Sequence, residues 1–110
     1  YVELSINIEI IRSTTGSSER LKRDIELALR KFLHPVVGGR DGQGWVFGRS
    51  VYKVDLYHIV EQVDGVDFVD RVQILNEDRG TYVDVIKLST KGLPYLVNVD
   101  ITEKTRDRIV

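Results

Sequence analysis

The sequence predicts an α+β domain. It has an antiparallel or mixed sheet of about four strands with two helices packed on one face, in the order strand, helix, loop, helix and three strands. Three observations carry this expectation. Val2, Leu4, Ile6, Ile8 and Ile10 alternate with Glu3, Ser5, Asn7 and Glu9, and Leu93, Tyr95, Val97, Val99 and Ile101 repeat the pattern near the other end. Period two marks a strand with one buried and one wet face. Between these ends lie two stretches whose apolar residues recur at helical spacing, separated by a glycine-rich segment.

Taken in order, the first strand breaks at Thr14-Thr15-Gly16-Ser17-Ser18, where hydroxyls are available to cap a helix and Glu19 sits in its first turn. That helix places Leu21, Ile25, Ala28, Leu29 and Phe32 on one face, with Arg20, Arg23 and Lys31 on the other, where a solvated surface is expected. Pro35 stops it, because the residue before a proline avoids helical angles. Leu56, Ile59, Val60 and Val63 mark the second helix, with Asp55 the expected cap and Gly65 the expected left-handed C-terminal residue. Val66 to Leu75 reads as a strand whose broken alternation at Phe68, Val69 and Val72 suggests a bulge. A turn at 76–80 precedes a strand from Thr81 to Ser89, and Thr90-Lys91-Gly92 turns the chain into the last strand. Pro94 assigns that strand's start to an edge or an entry position, and the charged segment from Thr102 to Val110 is expected to fray.

Five of the nine glycines fall between His34 and Arg49, together with the only tryptophan. Such a segment is either a ligand cradle or a packed connector. A phosphate loop needs Gly-Lys-Ser/Thr opening a helix, whereas Gly48 is followed by Arg49 and Ser50. The dinucleotide fingerprint needs G-x-G-x-x-G between a strand and a helix, and here the third glycine, Gly48, falls one place late after a helical element. Arg40 and Arg49 remain as cations for an anion. The connector reading has the loop pinned to the core by Trp45 and Phe47, with Pro35, Gly38, Gly39, Gly42, Gly44 and Gly48 shaping the backbone around the indole.

The run Phe32-Leu33-His34-Pro35, Gly38-Gly39, Asp41-Gly42, Gly44-Trp45, Phe47-Gly48-Arg49 and Val51-Tyr52, followed by Gly65-Val66-Asp67, resembles the C-terminal region of baseplate J-like proteins. These are wedge components of the baseplate in contractile phage tails and related contractile injection systems. Val54 departs from the pattern, because a serine often stands there just before the second helix. The resemblance implies a structural assembly domain that works through protein–protein contacts. Its partners would be other baseplate and tail proteins, or copies of itself within a wedge, in a virion tail or injection particle assembled in the cytoplasm. It also implies that residues 1–110 form one domain of a larger polypeptide, which the start at Tyr1-Val2-Glu3 without methionine suits, although processing would give the same start.

Composition bounds the alternatives. At 110 residues and 42% hydrophobic, the chain suffices for one core. Sixteen Lys and Arg against seventeen Asp and Glu leave a formal charge of -1, which argues against a nucleic-acid groove. No apolar run approaches membrane-spanning length, so no membrane partner is expected. Without cysteine there is no thiolate site, and His34 and His58 lie on different elements, so no metal or cofactor is expected. His34 is expected to cap the first helix. Glu61, Asp64, Asp67 and Asp70 lack the spacing of a calcium loop, and Ser50 reads as a turn residue. The expectation is therefore a non-enzyme, with Leu93, Tyr95 and Leu96 as the interaction edge, where an unpaired strand invites pairing. Two other readings stand beside it: an anion- or small-ligand-binding module using loop 38–49, and a small enzyme using His58 with Glu61 or Asp64.

Overall fold

The computed structural model describes residues 1–13, 17–34, 38–39, 42, 44–45 and 48–104. Pro35, Phe47, Arg40, residues 14–16 and residues 105–110 lie outside them. The architecture is α+β, with two helices, a mixed four-stranded sheet and a second sheet of two strands. The elements are β1 (Val2–Arg12), α1 (Ser18–Phe32), β2 (Val51–Tyr52), α2 (Lys53–Glu61), β3 (Val66–Asn76), β4 (Thr81–Val83), β5 (Val85–Ile86) and β6 (Pro94–Lys104).

The main sheet has the order β4-β3-β1-β6, with β3 antiparallel and β6 parallel to the central strand. β1 holds the centre because its inward positions are apolar without exception: Leu4, Ile6, Ile8 and Ile10 are all at 0–1% exposure. They join Leu21, Ile25, Leu29 and Phe32 of α1, Leu56 and Val60 of α2, and Val69, Val72 and Ile74 of β3 in one cluster. Burying so many branched side chains, each worth about 1.5–3 kcal/mol, drives both helices onto this face. On the outer face Glu3 lies beside Tyr95, Asn7 between Gln73 and Asp100, and Glu9 between Arg71 and Thr102.

Ser17 caps α1, its hydroxyl accepting from the Arg20 amide. α2 begins three residues earlier than the expected cap allows. Its cap is Tyr52, with no side-chain bond, and Asp55 lies buried in the first turn. Gly65 has the expected left-handed φ of 104°, but α2 already ends at Glu61 with Gln62 as its cap, and Gly65 serves the turn into β3. Its carbonyl accepts from the Ser13 amide.

The bulge expected in β3 is in fact two. Between Glu9 and Ile10 the register skips Asp70, and between Ile11 and Arg12 it skips Asp67. The strand expected from Thr81 to Ser89 is broken at Asp84: β4 continues the main sheet, while β5 turns away to pair with β2. Lys53 takes up the break, its amide donating to the Asp84 carbonyl at 2.9 Å and its ammonium lying 3.0 Å from the Asp84 carboxylate. The last strand does not fray at Thr102 but runs to Lys104. Glu103 is held by Arg12 at 2.8 Å and by the Ser18 hydroxyl, and Lys104 bridges Glu9 and Asp70 at 2.8 Å each.

Candidate functional site

The glycine segment folds back onto the C-terminal end of α1. Helices leave their last carbonyls unpaired, and here loop amides supply the partners. Gly39 donates to the Phe32 carbonyl at 2.7 Å, while Gly38 and Trp45 both donate to the His34 carbonyl, at 2.9 and 3.2 Å. Gly44 donates to Gly38 at 2.7 Å, Gly42 to Gly39 at 3.4 Å, and Gly48 to Gly92 at 3.0 Å. Every described glycine amide between 38 and 48 is thus directed at backbone of the same chain. Gly38 is required by space. A Cβ there would stand 2.2 Å from the Phe32 carbonyl oxygen and 2.5 Å from that of His34, and neither is the end of a flexible side chain. Gly39, Gly42, Gly44 and Gly48 all adopt positive φ.

Trp45 is buried at 3% exposure, edge-on to Phe32 with ring centroids 5.3 Å apart. Its indole N–H donates to the Arg49 carbonyl at 2.9 Å, closing the loop over the ring. The Arg49 guanidinium lies 5.4 Å from the ring centroid and 3.7 Å from the Asp55 carboxylate. Of the two cations expected for an anion, then, Arg49 is engaged by a buried carboxylate, and Arg40 lies outside the described residues. Nothing in the sequence pattern pointed to the Arg49–Asp55 pair. Asp55 read as a solvent-facing cap, and only its helical phase, one turn before Ile59, would have placed it inward.

The histidines do not converge. His34 follows the end of α1, and its backbone contributes the amide bond to Lys31 and the twice-used carbonyl. His58 is exposed on α2, with Nδ1 3.5 Å from Glu61 one turn on. A depression of about 300 Å³ near it is lined by Phe32, Gly39, Asp55, His58, Ile59 and Gln62. Asp64 instead lines a different pocket, with Ser13, Ser17 and Arg20. Among the described residues no group of three His, Asp or Glu is placed to hold a metal ion. Asp70 bonds Lys104 instead. The hydrogen bond from that ammonium holds the Asp70 carboxyl below its usual range, and the same bond raises Lys104. Glu103 is lowered chiefly by the hydroxyl of Ser18, with Arg12 adding to it.

The sheet has two dissimilar edges. On one side β4 pairs only with Ile74–Asn76, and among the described residues no strand pairs with the outer side of the rest of β3. That stretch carries the Asp67 and Asp70 bulges, and the Tyr57 hydroxyl donates to its Val69 carbonyl at 3.1 Å. Bulges, charges and side-chain caps are the usual protections of an edge. On the other side β6 is eleven residues long, and among the described residues no strand pairs with its outer side. Its irregularities are one bulge at Val97, Pro94 at its start, and a bond from Arg30 of α1 to the Leu96 carbonyl at 3.0 Å.

The side chains at this edge differ from those expected. Leu96 is buried at 7%, because its register partner is Leu4 on the inward face, and Leu93 is half-buried against the core. Tyr95 at 54% and Val97 at 43% point into solvent, with Tyr1 packed edge-on against Tyr95. Of the residues expected at an interaction edge, Leu96 is therefore directed into the core, whereas Val97 is exposed beside Tyr95. The chain matches no protein-family model and no curated protein, so its function is read from these residues and their geometry.

Proposed function

We propose that this chain is a structural assembly domain of a contractile-tail baseplate wedge protein, acting through protein–protein contacts. The resemblance of segment 32–67 to baseplate J-like proteins suggests the setting. The observation that carries the reading is the long outer edge of β6, with which no strand pairs among the described residues, and Tyr1, Tyr95 and Val97 beside it. An edge of this length offers a row of backbone groups to a partner strand, and exposed apolar side chains next to it add area to the contact. The glycine segment supports the same reading, since its described amides are spent on capping α1 and seating Trp45. No observation favours the ligand-binding or the enzymatic alternative.

The test is incorporation into particles. Tyr95→Lys with Val97→Lys, placed in the parent polypeptide and expressed with the sheath, tube and spike proteins of the same genome, is expected to leave the fold intact and block baseplate assembly. Normal particles containing the variant would overturn the reading, as would a genome lacking such neighbours.

A further inference from the structure

The two faces of this domain carry opposite charge, and each carries apolar groups within that charge. On α1 the residues directed away from the core include Arg20, Arg23, Leu27, Arg30 and Lys31. Arg20 is paired with Asp24 at 3.5 Å and Arg30 with Glu26 at 2.8 Å. Arg23 and Lys31 have no ion-pair partner among the described residues, and Leu27 stands between them at 59% exposure. These three lie at i, i+4 and i+8, so they form one ridge whose cations are about 12 Å apart along the helix. On the far side of the sheet, the outer surface holds Glu3, Glu9, Asp70 and Asp100 against Arg71 and Lys104. Lys104 serves Glu9 and Asp70, whereas Glu3 and Asp100 have no ion-pair partner among the described residues. Glu3 and Asp100 are four positions apart along the β1–β6 pair and one strand across, a separation of about 14 Å. Val97 lies on the β6 path between them and Tyr95 stands directly beside Glu3, both exposed.

We propose that the Arg23–Leu27–Lys31 ridge of one copy docks on the outer β1–β6 face of a second copy. The two cations would meet Glu3 and Asp100, and Leu27 would sit against Tyr95 and Val97. The spacings match, the charges are opposite, and Leu27 and Val97 each fall between flanking charges, with Tyr95 beside Glu3. The contact uses different surfaces on the two copies, so it repeats head to tail and builds rings or filaments rather than closed twofold dimers. It rests on the assembly reading above and names the partner as another copy of this chain.

Sedimentation velocity of the 110-residue chain between about 10 μM and about 1 mM tests this. Steered, partly exposed ion pairs should make association weaken by about tenfold between roughly 50 and 500 mM NaCl. Leu27→Asp removes the ridge, and Glu3→Lys with Asp100→Lys removes the face. Each of these positions is exposed, and circular dichroism checks that the variants fold, with Leu27→Gln as the substitute for Leu27→Asp. Each variant alone should be monomeric. Mixed in equal amounts, they should form a one-to-one dimer and nothing larger, because one good surface survives on each. A wild-type chain that stays monomeric at low salt, a variant that self-associates like wild type, or a mixture that stays monomeric overturns the contact. Because Tyr95 and Val97 belong to both surfaces, a wild-type chain that stays monomeric here overturns the self-contact alone, while normal particles carrying Tyr95→Lys and Val97→Lys overturn the assembly reading.

Discussion

Replacing Trp45 with alanine should be among the most damaging substitutions in this protein. The ring is 97% removed from solvent, and its contacts come from Phe32 and the Arg49 guanidinium. Burying a large aromatic removes about 150–250 Å² from water, which at about 25 cal/mol per Å² corresponds to roughly 4–6 kcal/mol. Measured truncations of this kind cost about 3–5 kcal/mol. The indole hydrogen bond to Arg49 contributes about 1 kcal/mol of this at most, since that carbonyl is part-exposed and water can replace the donor. Against a total of about 5–15 kcal/mol, Trp45→Ala should leave a marginal fold, while Trp45→Phe keeps an aromatic ring against Phe32 and should cost clearly less. Urea unfolding followed by far-ultraviolet circular dichroism measures both, and acrylamide quenching of wild-type fluorescence checks the burial. A shift below about 1 kcal/mol with strong quenching would refute the anchoring argument and revive a ligand-stacking tryptophan.

Two glycines should respond oppositely to alanine. Gly38→Ala meets immovable backbone at 2.2 Å and should shift the urea midpoint severely, whereas Gly80→Ala meets nothing within 4 Å and should cost only the about 1–2 kcal/mol of a left-handed alanine at φ 68°. Leu96→Lys should destabilise the fold itself, while Tyr95→Lys should leave the urea midpoint within about 0.5 kcal/mol of wild type, because one side chain is buried and the other is in solvent. The pH dependence should follow Glu103. Its folded pKa is lowered, so its stabilisation is present above the ordinary glutamate range and is lost as pH falls through the folded value. Glu103→Gln should therefore flatten the acid limb of thermal stability, and an unchanged acid limb would contradict the role given to Ser18 and Arg12.

How much of this was legible in the sequence depended on how local the cause was. Period-two alternation in β1 announced the apolar inward face correctly, because side-chain direction in a strand is fixed by the backbone alone, but on the face read as wet Ser5 is buried and bonded to Glu77. The α1 cap at Ser17 and the positive φ at Gly65 are likewise local properties. What the sequence did not disclose were consequences of contact. Leu96 and Tyr95 look equally available in a linear pattern. Only the parallel register with β1, and the bulge at Val97, decide that Leu96 faces the core and Val97 the solvent. The break at Asp84 escaped for the same reason. Residues 81–89 have the composition of one strand, but Val51 and Tyr52 divert Val85 and Ile86 into a separate ladder.

The glycine segment shows why a motif must be read through its hydrogen bonds. The same residue types serve a phosphate cradle and a helix cap, since both need amides that converge and a backbone free of side chains. The distinction lies in where the amides point. Here Gly38, Gly39 and Trp45 converge on carbonyls at the end of α1, where the helix dipole is negative, an electrostatic setting that repels an anion. Among the described residues Arg49 is the loop's cation, and it faces a buried carboxylate across 3.7 Å and covers an indole at 5.4 Å. Packing thus accounts for Arg49 and for the described glycine amides, while the β6 edge, the outer sheet face and the ridge of α1 are among the described groups left exposed.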